Sequence, residues 1–186
     1  MEEIHKLRKI YALKDVARDA QVGNRKESSA EHTWSTLMLA DYFLSKTKEK
    51  INRLKVYELL MYHDVVEIEA GDTAVHHEEK RKNKKILEEK AAKKLSQSFP
   101  PEIKEKFAKL FLEFEQQETR EAQFAKAMDA MDALVHELDY KIRWKGWDIE
   151  MVRKYHGSYT EGFPEVKKVF DKMMKYCDKE GYFSQG

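Results

Sequence analysis

Apolar residues return along most of this chain at three- and four-residue intervals, the spacing that lines one face of an α-helix. Ile4, Leu7, Ile10, Leu13 and Val16 recur every third position and predict an amphipathic helix over about residues 2–17. The pattern lapses from Asp19 to Arg25, which reads as a loop with Arg18 and Arg25 at its edges. Ser28-Ser-Ala-Glu31 fits a capping box, in which hydroxyl and carboxylate each take up an exposed backbone N–H. Trp34, Leu37, Met38 and Phe43 carry the following helix to about Lys46. A third helix is predicted from about Ile51 to Glu69, with Gly71 as its stop.

Residues His76 to Lys94 are almost continuous charge around Ile86, Leu87 and Leu95, the signature of a solvated helix. Pro100-Pro101 breaks it, and Ile103, Phe107, Leu110, Phe111 and Phe114 mark the next helix. From Thr119 a further helix carries a core stripe of Phe124, Met128, Met131, Val135 and Leu138, flanked by Asp129, Asp132 and His136. Trp144-Lys-Gly-Trp147 reads as a turn, a short helix covers Ile149 to Tyr155, and Pro164 opens a last helix ending near Cys177. The tryptophans are read as core. With three prolines, seven glycines and few β-branched runs, the expectation is an all-α bundle, a single domain over residues 1–186.

Composition narrows the function classes. Charged residues make up 37% and hydrophobic residues 41%, so the chain folds a core beneath a heavily ionised surface. A net charge of +1 gives no footprint for nucleic acid or an anionic membrane. A lone Cys177 excludes an internal disulfide, and neither a membrane-spanning run nor a signal peptide is legible. The expected location is cytoplasmic.

Against that background Met61-Tyr-His63-Asp64-Val-Val-Glu67-Ile-Glu-Ala-Gly71-Asp72 stands out as polar chemistry at the end of an apolar helix. His63 and Glu67 are four apart and Asp64 and Glu67 three apart, so all three can address one side. Adjacent His and Asp splay by about 100° on an ideal helix, so both reach one ion only if it sits across the helix surface. Further ligands must come from other helices, and His32 and Asp129 qualify, with Asp132 able to replace Asp129. Two imidazoles and two carboxylates suit a divalent transition metal with open positions. His5, His136 and His156 read as packed or surface histidines, and His76-His77 as a charged helix start rather than a second metal site.

Glu27-Ser-Ser-Ala-Glu-His32, His63-Asp64-Val-Val-Glu67-Ile-Glu-Ala-Gly71-Asp72 and Glu121-Ala-Gln-Phe-Ala-Lys-Ala-Met-Asp129 together resemble three blocks of the HD-domain superfamily, in its 5′-deoxynucleotidase branch. The resemblance implies an all-helical, metal-dependent phosphohydrolase that releases phosphate from nucleoside 5′-monophosphates, as a homodimer. It makes His32, His63, Asp64 and Asp129 ligands of one divalent ion such as Mn²⁺ or Co²⁺. Glu67 then handles the attacking water, Asp72 lies near the leaving oxygen or the sugar, and Arg18 binds phosphate. Where that branch often places a sugar-selecting tryptophan after the arginine, this chain has Asp19-Ala20-Gln21. Two other readings remain: hydrolysis of a triphosphate, cyclic dinucleotide or alarmone, using basic residues of the 78–94 helix, and a non-catalytic nucleotide-binding module.

Overall fold

A computed structural model describes residues 1–72 and 78–183, with the side chains of 78–85 left aside. Helix α1 (Glu2–Arg8) leads through a 3₁₀ turn (Ile10–Asp15) into an antiparallel hairpin, β1 (Ala17–Val22) and β2 (Arg25–Ser28). Then come α2 (Ser29–Leu44), α3 (Arg53–Tyr62), α4 (Glu67–Ala70), α5 (Glu78–Ser96), α6 (Pro101–Gln116), α7 (Arg120–Glu137), α8 (Ile149–Tyr155) and α9 (Pro164–Lys179). The architecture is all-α apart from the hairpin. No helix among the described residues is long and apolar enough to cross a membrane.

The centre is the mutual packing of α2, α3 and α7. Phe43, Leu59, Leu60, Phe124, Met128 and Met131 are fully buried there. Helices α5 and α6 close one side, and α9 packs through the 3₁₀ turn Gly157–Thr160 onto α7. The capping box forms as expected, with Ser28 accepting from the Glu31 N–H and Glu31 from the Ser28 N–H. Proline opens α6 and α9, where its missing N–H would have had no partner.

Three expectations need correction. The helix expected over 2–17 stops at Arg8 and tightens into the 3₁₀ turn. A strict every-third spacing suits three residues per turn better than 3.6. The expected loop at 19–25 is the hairpin, turning at Gly23 (φ 59°), with its register irregular between Ala17 and Gln21. Such a bulge re-aims side chains, and Arg18 lies within it. The helix expected over 51–69 is broken: α3 ends at Tyr62, and Glu67 N–H bonds Asp64 O across a tighter turn.

The apolar stripes were also misjudged in places. Trp34 is 67% exposed, and Met38 and Val135 are also exposed. Helix α2 instead buries Ser29, His32, Thr33, Thr36, Ala40, Phe43 and Leu44. Trp144 is buried as expected and Trp147 is half-buried. The pair His76-His77 lies outside the described residues.

Gly157 offers a test of the packing. A Cβ there would stand 2.8 Å from Phe170 Cζ, and Phe170 is itself fully buried. Gly157→Ala is expected to destabilise the fold by about 1–3 kcal/mol, read as a lowered midpoint in urea unfolding; an unchanged midpoint contradicts the packing.

Candidate metal centre

Each of the three central helices delivers one donor to a common point. His32, in the first turn of α2, is 1% exposed. Its Nδ1 donates to Asp132 Oδ2 at 2.9 Å, and its Nε2 faces Asp129 Oδ1 at 3.1 Å, both carboxylates standing on α7. His63 closes α3, and its Nδ1 donates to the Leu60 carbonyl at 2.6 Å. A carbonyl only accepts, so the proton is on Nδ1 and the neutral ring carries its lone pair on Nε2. That Nε2 is buried with no hydrogen-bond partner. Ligand atoms of His32, His63 and Asp129 all lie within 4.8 Å of one another, so the three can hold one ion.

Asp64 stands against the same atoms. Its Oδ1 is 3.2 Å from His63 Nε2 and its Oδ2 3.8 Å from His32 Nε2. His63 keeps α-helical backbone angles, φ −58° and ψ −43°, so the neighbouring His63 and Asp64 side chains meet by reaching across the helix surface. Two imidazole nitrogens with two carboxylates fit a divalent transition metal. The bare lone pair of His63 is the observation that tests this fit: buried and unpaired it costs free energy, and a cation would satisfy it.

Asp129 and Asp132 stand on opposite sides of the His32 ring. Asp132 lies behind the His32 ring, accepting from Nδ1 and from Ser35 Oγ at 2.8 Å. It therefore orients the imidazole from the far side, as second carboxylates commonly do in histidine metal sites. Asp129 is on the near side, and Lys126 donates to its Oδ2 at 2.9 Å, leaving Oδ1 towards the imidazoles.

The remaining expected residues line the same cavity of about 270 Å³. Arg18 donates through Nη1 to Asp64 Oδ2 at 3.1 Å, and its Nε lies 3.3 Å from Glu27 Oε2. Glu67 is buried and accepts from Ser29 Oγ at 2.6 Å. Asp72 accepts from the Asp19 N–H at 3.2 Å, which ties it to the bulged strand. His5 is exposed, and buried His156 donates to the Ala130 carbonyl at 3.1 Å, both as anticipated.

Electrostatics follow from the crowding. Burial, then Asp64 and Asp72, push the Glu67 carboxyl up to about 9. Burial and Arg18 work against protonated His32, but its bonds to Asp129 and Asp132 outweigh them and raise the imidazole to about 10. Burial lowers His63 and keeps it neutral. Burial opposes the ionised form of Asp129, yet Lys126 and His32 hold it well below the ordinary carboxylate range. A proton bound between His32 Nε2 and Asp129 thus stands where a cation would.

Four participants escaped the sequence. Lys126 had a signal in its i,i+3 spacing to Asp129. Ser29 and Glu27 lay within the Glu27-to-His32 block, where no role was assigned to them. His136, taken as packed or surface, lines the cavity; its Nε2 donates to the Gln21 carbonyl at 2.8 Å and its Nδ1 is 3.4 Å from Glu27 Oε1.

The family model described as HD domain matches residues 10–167, and the chain belongs to that family. A 5′-deoxynucleotidase HDDC2 from Bos taurus is 29% identical over 138 residues, 73% of this chain and 66% of that protein. The Homo sapiens protein of the same name is 27% identical over the same lengths. The chain thus spans about two thirds of the curated relatives it matches. Among solved structures, a predicted metal-dependent phosphohydrolase from Magnetospirillum magnetotacticum superimposes with a TM-score of 0.87 at 28% identity, covering 97% of this chain and 93% of that one. An HD-domain phosphohydrolase from Listeria innocua, 21% identical, shares the fold with a TM-score of 0.65 over 95% and 86% of the two chains.

If Asp132 orients His32, Asp132→Ala weakens Mn²⁺ or Co²⁺ binding by about 10–100-fold without removing a ligand. Calorimetric titration checks this, with His63→Ala as the comparison that abolishes binding. Undiminished affinity in Asp132→Ala contradicts the role.

Proposed function

We propose that the protein is a divalent-metal-dependent phosphomonoesterase that hydrolyses nucleoside 5′-monophosphates, deoxy forms included, to nucleoside and phosphate. The observation that carries this is the lone pair of His63 meeting His32 and Asp129 in the same cavity as a buried arginine. The names of the relatives point the same way.

His32, His63, Asp64 and Asp129 would hold the ion. When bound, it supplies a Lewis acid that offsets phosphate charge and acidifies water. Arg18 offers its planar fork to two phosphate oxygens, fixing the phosphorus relative to the attacking water. Its anchoring by Asp64 and Glu27 sets the fork in place before substrate arrives. Glu67, held by Ser29, would orient the attacking water, and a divalent cation bound in the same cavity would favour the ionised carboxylate that can take its proton. Asp72, with Oδ2 engaged by the strand, has Oδ1 for a hydroxyl on the nucleoside side. A cavity of about 270 Å³ is at the small end for ligand clefts and favours a mononucleotide over a cyclic dinucleotide.

Phosphate release from a panel of ribo- and deoxyribonucleoside monophosphates, with and without Mn²⁺ or Co²⁺, tests the reading. Release only with metal is expected. Tight nucleotide binding with no turnover under either metal would make the chain a binding module instead. Within the site, Glu67→Ala is expected to keep the metal and lose turnover by about 10²–10⁴-fold. Equal loss of metal in that variant would make Glu67 a ligand.

A further inference from the structure

A buried side-chain polar atom without a hydrogen-bond partner is rare in a folded protein. Among the described residues three occur: Arg18 Nε, His63 Nε2 and Glu137 Oε2. All three residues line the same cavity. His63 Nε2 has the metal as its explanation, and Arg18 Nε lies 3.3 Å from a Glu27 oxygen. Glu137 Oε2 has neither.

Glu137 is held at its other carboxylate oxygen and at its backbone carbonyl. Its Oε1 accepts from Arg143 Nε at 2.8 Å, and its backbone carbonyl accepts from Trp144 Nε1 at 2.9 Å. Arg143 also donates to the Asp19 carbonyl, and the Asp19 N–H donates to Asp72. The brace therefore runs from the end of α7 through the bulged strand to Asp72. Along α7, Glu137 stands just over two turns beyond Asp129, about 12 Å at 1.5 Å per residue. That is too far to touch a phosphorus held at Asp129. A carboxylate there repels a phosphate and calls for an O–H or N–H donor on an uncharged part of the ligand.

We propose that Glu137 is a specificity-determining residue, its Oε2 accepting a hydrogen bond from a hydroxyl or amino group of the nucleoside. The proposal rests on the nucleotide reading above and deepens it. A site built around a buried acceptor rejects ligands that leave it unpaired, so the substrate bearing that donor is the one preferred.

The test compares kcat/KM for wild type and Glu137→Ala on AMP, 2′-deoxy-AMP, 3′-deoxy-AMP and purine riboside 5′-monophosphate, which lacks the amino group. Wild type is expected to disfavour one of the three altered substrates by about tenfold or more. In Glu137→Ala that preference collapses, because the others fall to the level of the disfavoured one, which itself keeps its rate. A collapse on a deoxy arm assigns the contact to a sugar hydroxyl, and on the purine riboside arm to the base. A uniform loss across all four, or none, overturns the proposal. Glu137→Gln keeps the Oε1 contact to Arg143 and takes the place of Glu137→Ala if that variant does not fold. Should wild type release phosphate from no nucleotide with Mn²⁺ or Co²⁺, the phosphatase reading fails. Calorimetric binding of the four matching nucleosides then decides on Glu137 by itself: a selective loss in the variant supports it, and equal or absent binding overturns it.

Discussion

Charge buried inside an apolar bundle is the constraint around which this protein is arranged. Glu27, Glu67 and Asp132 are buried outright, and Asp64 and Asp129 are nearly so, while among the described residues Arg18 and Lys126 pair with them as permanent cations. Ionised carboxylates taken out of water must be paired, hydrogen-bonded or neutralised. All three outcomes occur here. Asp129 is paired with Lys126, Asp132 is bonded by His32 and Ser35, and Glu67 is pushed towards its neutral form. The surplus of negative charge that remains, beside a histidine lone pair with no donor, is what a divalent cation answers.

That arrangement holds only if three helices keep their relative positions. His32, His63 and Asp129 belong to α2, the end of α3 and α7, so the Phe43, Leu59, Leu60, Phe124, Met128 and Met131 core sets the donor geometry as well as the stability. Close packing makes such a core stiff, and a ligand set needs that stiffness. The chain after Tyr62 gives up regular helix bonding just where His63 and Asp64 stand. The bulge in β1 does the same for Arg18. In both places regular structure gives way at the chemistry, and packing around it holds the irregular form.

The helices themselves were largely legible, because amphipathic periodicity, the Ser28 capping box and the prolines at Pro101 and Pro164 are local signals. The misreadings cluster at the site. On α2 the apolar rule selected Trp34 and Met38, yet the buried face carries Ser29, His32, Thr33 and Thr36. A helix that turns polar side chains inward inverts the pattern on which hydrophobic periodicity depends. On α7 the same inversion leaves Val135 exposed and Asp132 buried. The hairpin escaped because Asp19 to Arg25 offers only Ala20 and Val22 as alternating apolar positions, and a two-stranded ribbon borrows its order from what it packs on.

By itself, then, the sequence determined the helical class, the caps, and the residue types of the candidate metal centre, since His32, His63-Asp64 and Asp129 are chemically suited to one ion wherever they meet. Only the tertiary structure decided that Asp129, not Asp132, faces both imidazole Nε2 atoms, that Lys126 and Ser29 stand against Asp129 and Glu67, and that Arg18 is braced by Glu27. Those are matters of direction, set by helix rotation and by a strand bulge. A distance of 2.9 Å between residues 32 and 132 is a property of packing between helices far apart in the chain. Local spacing carries no information about it.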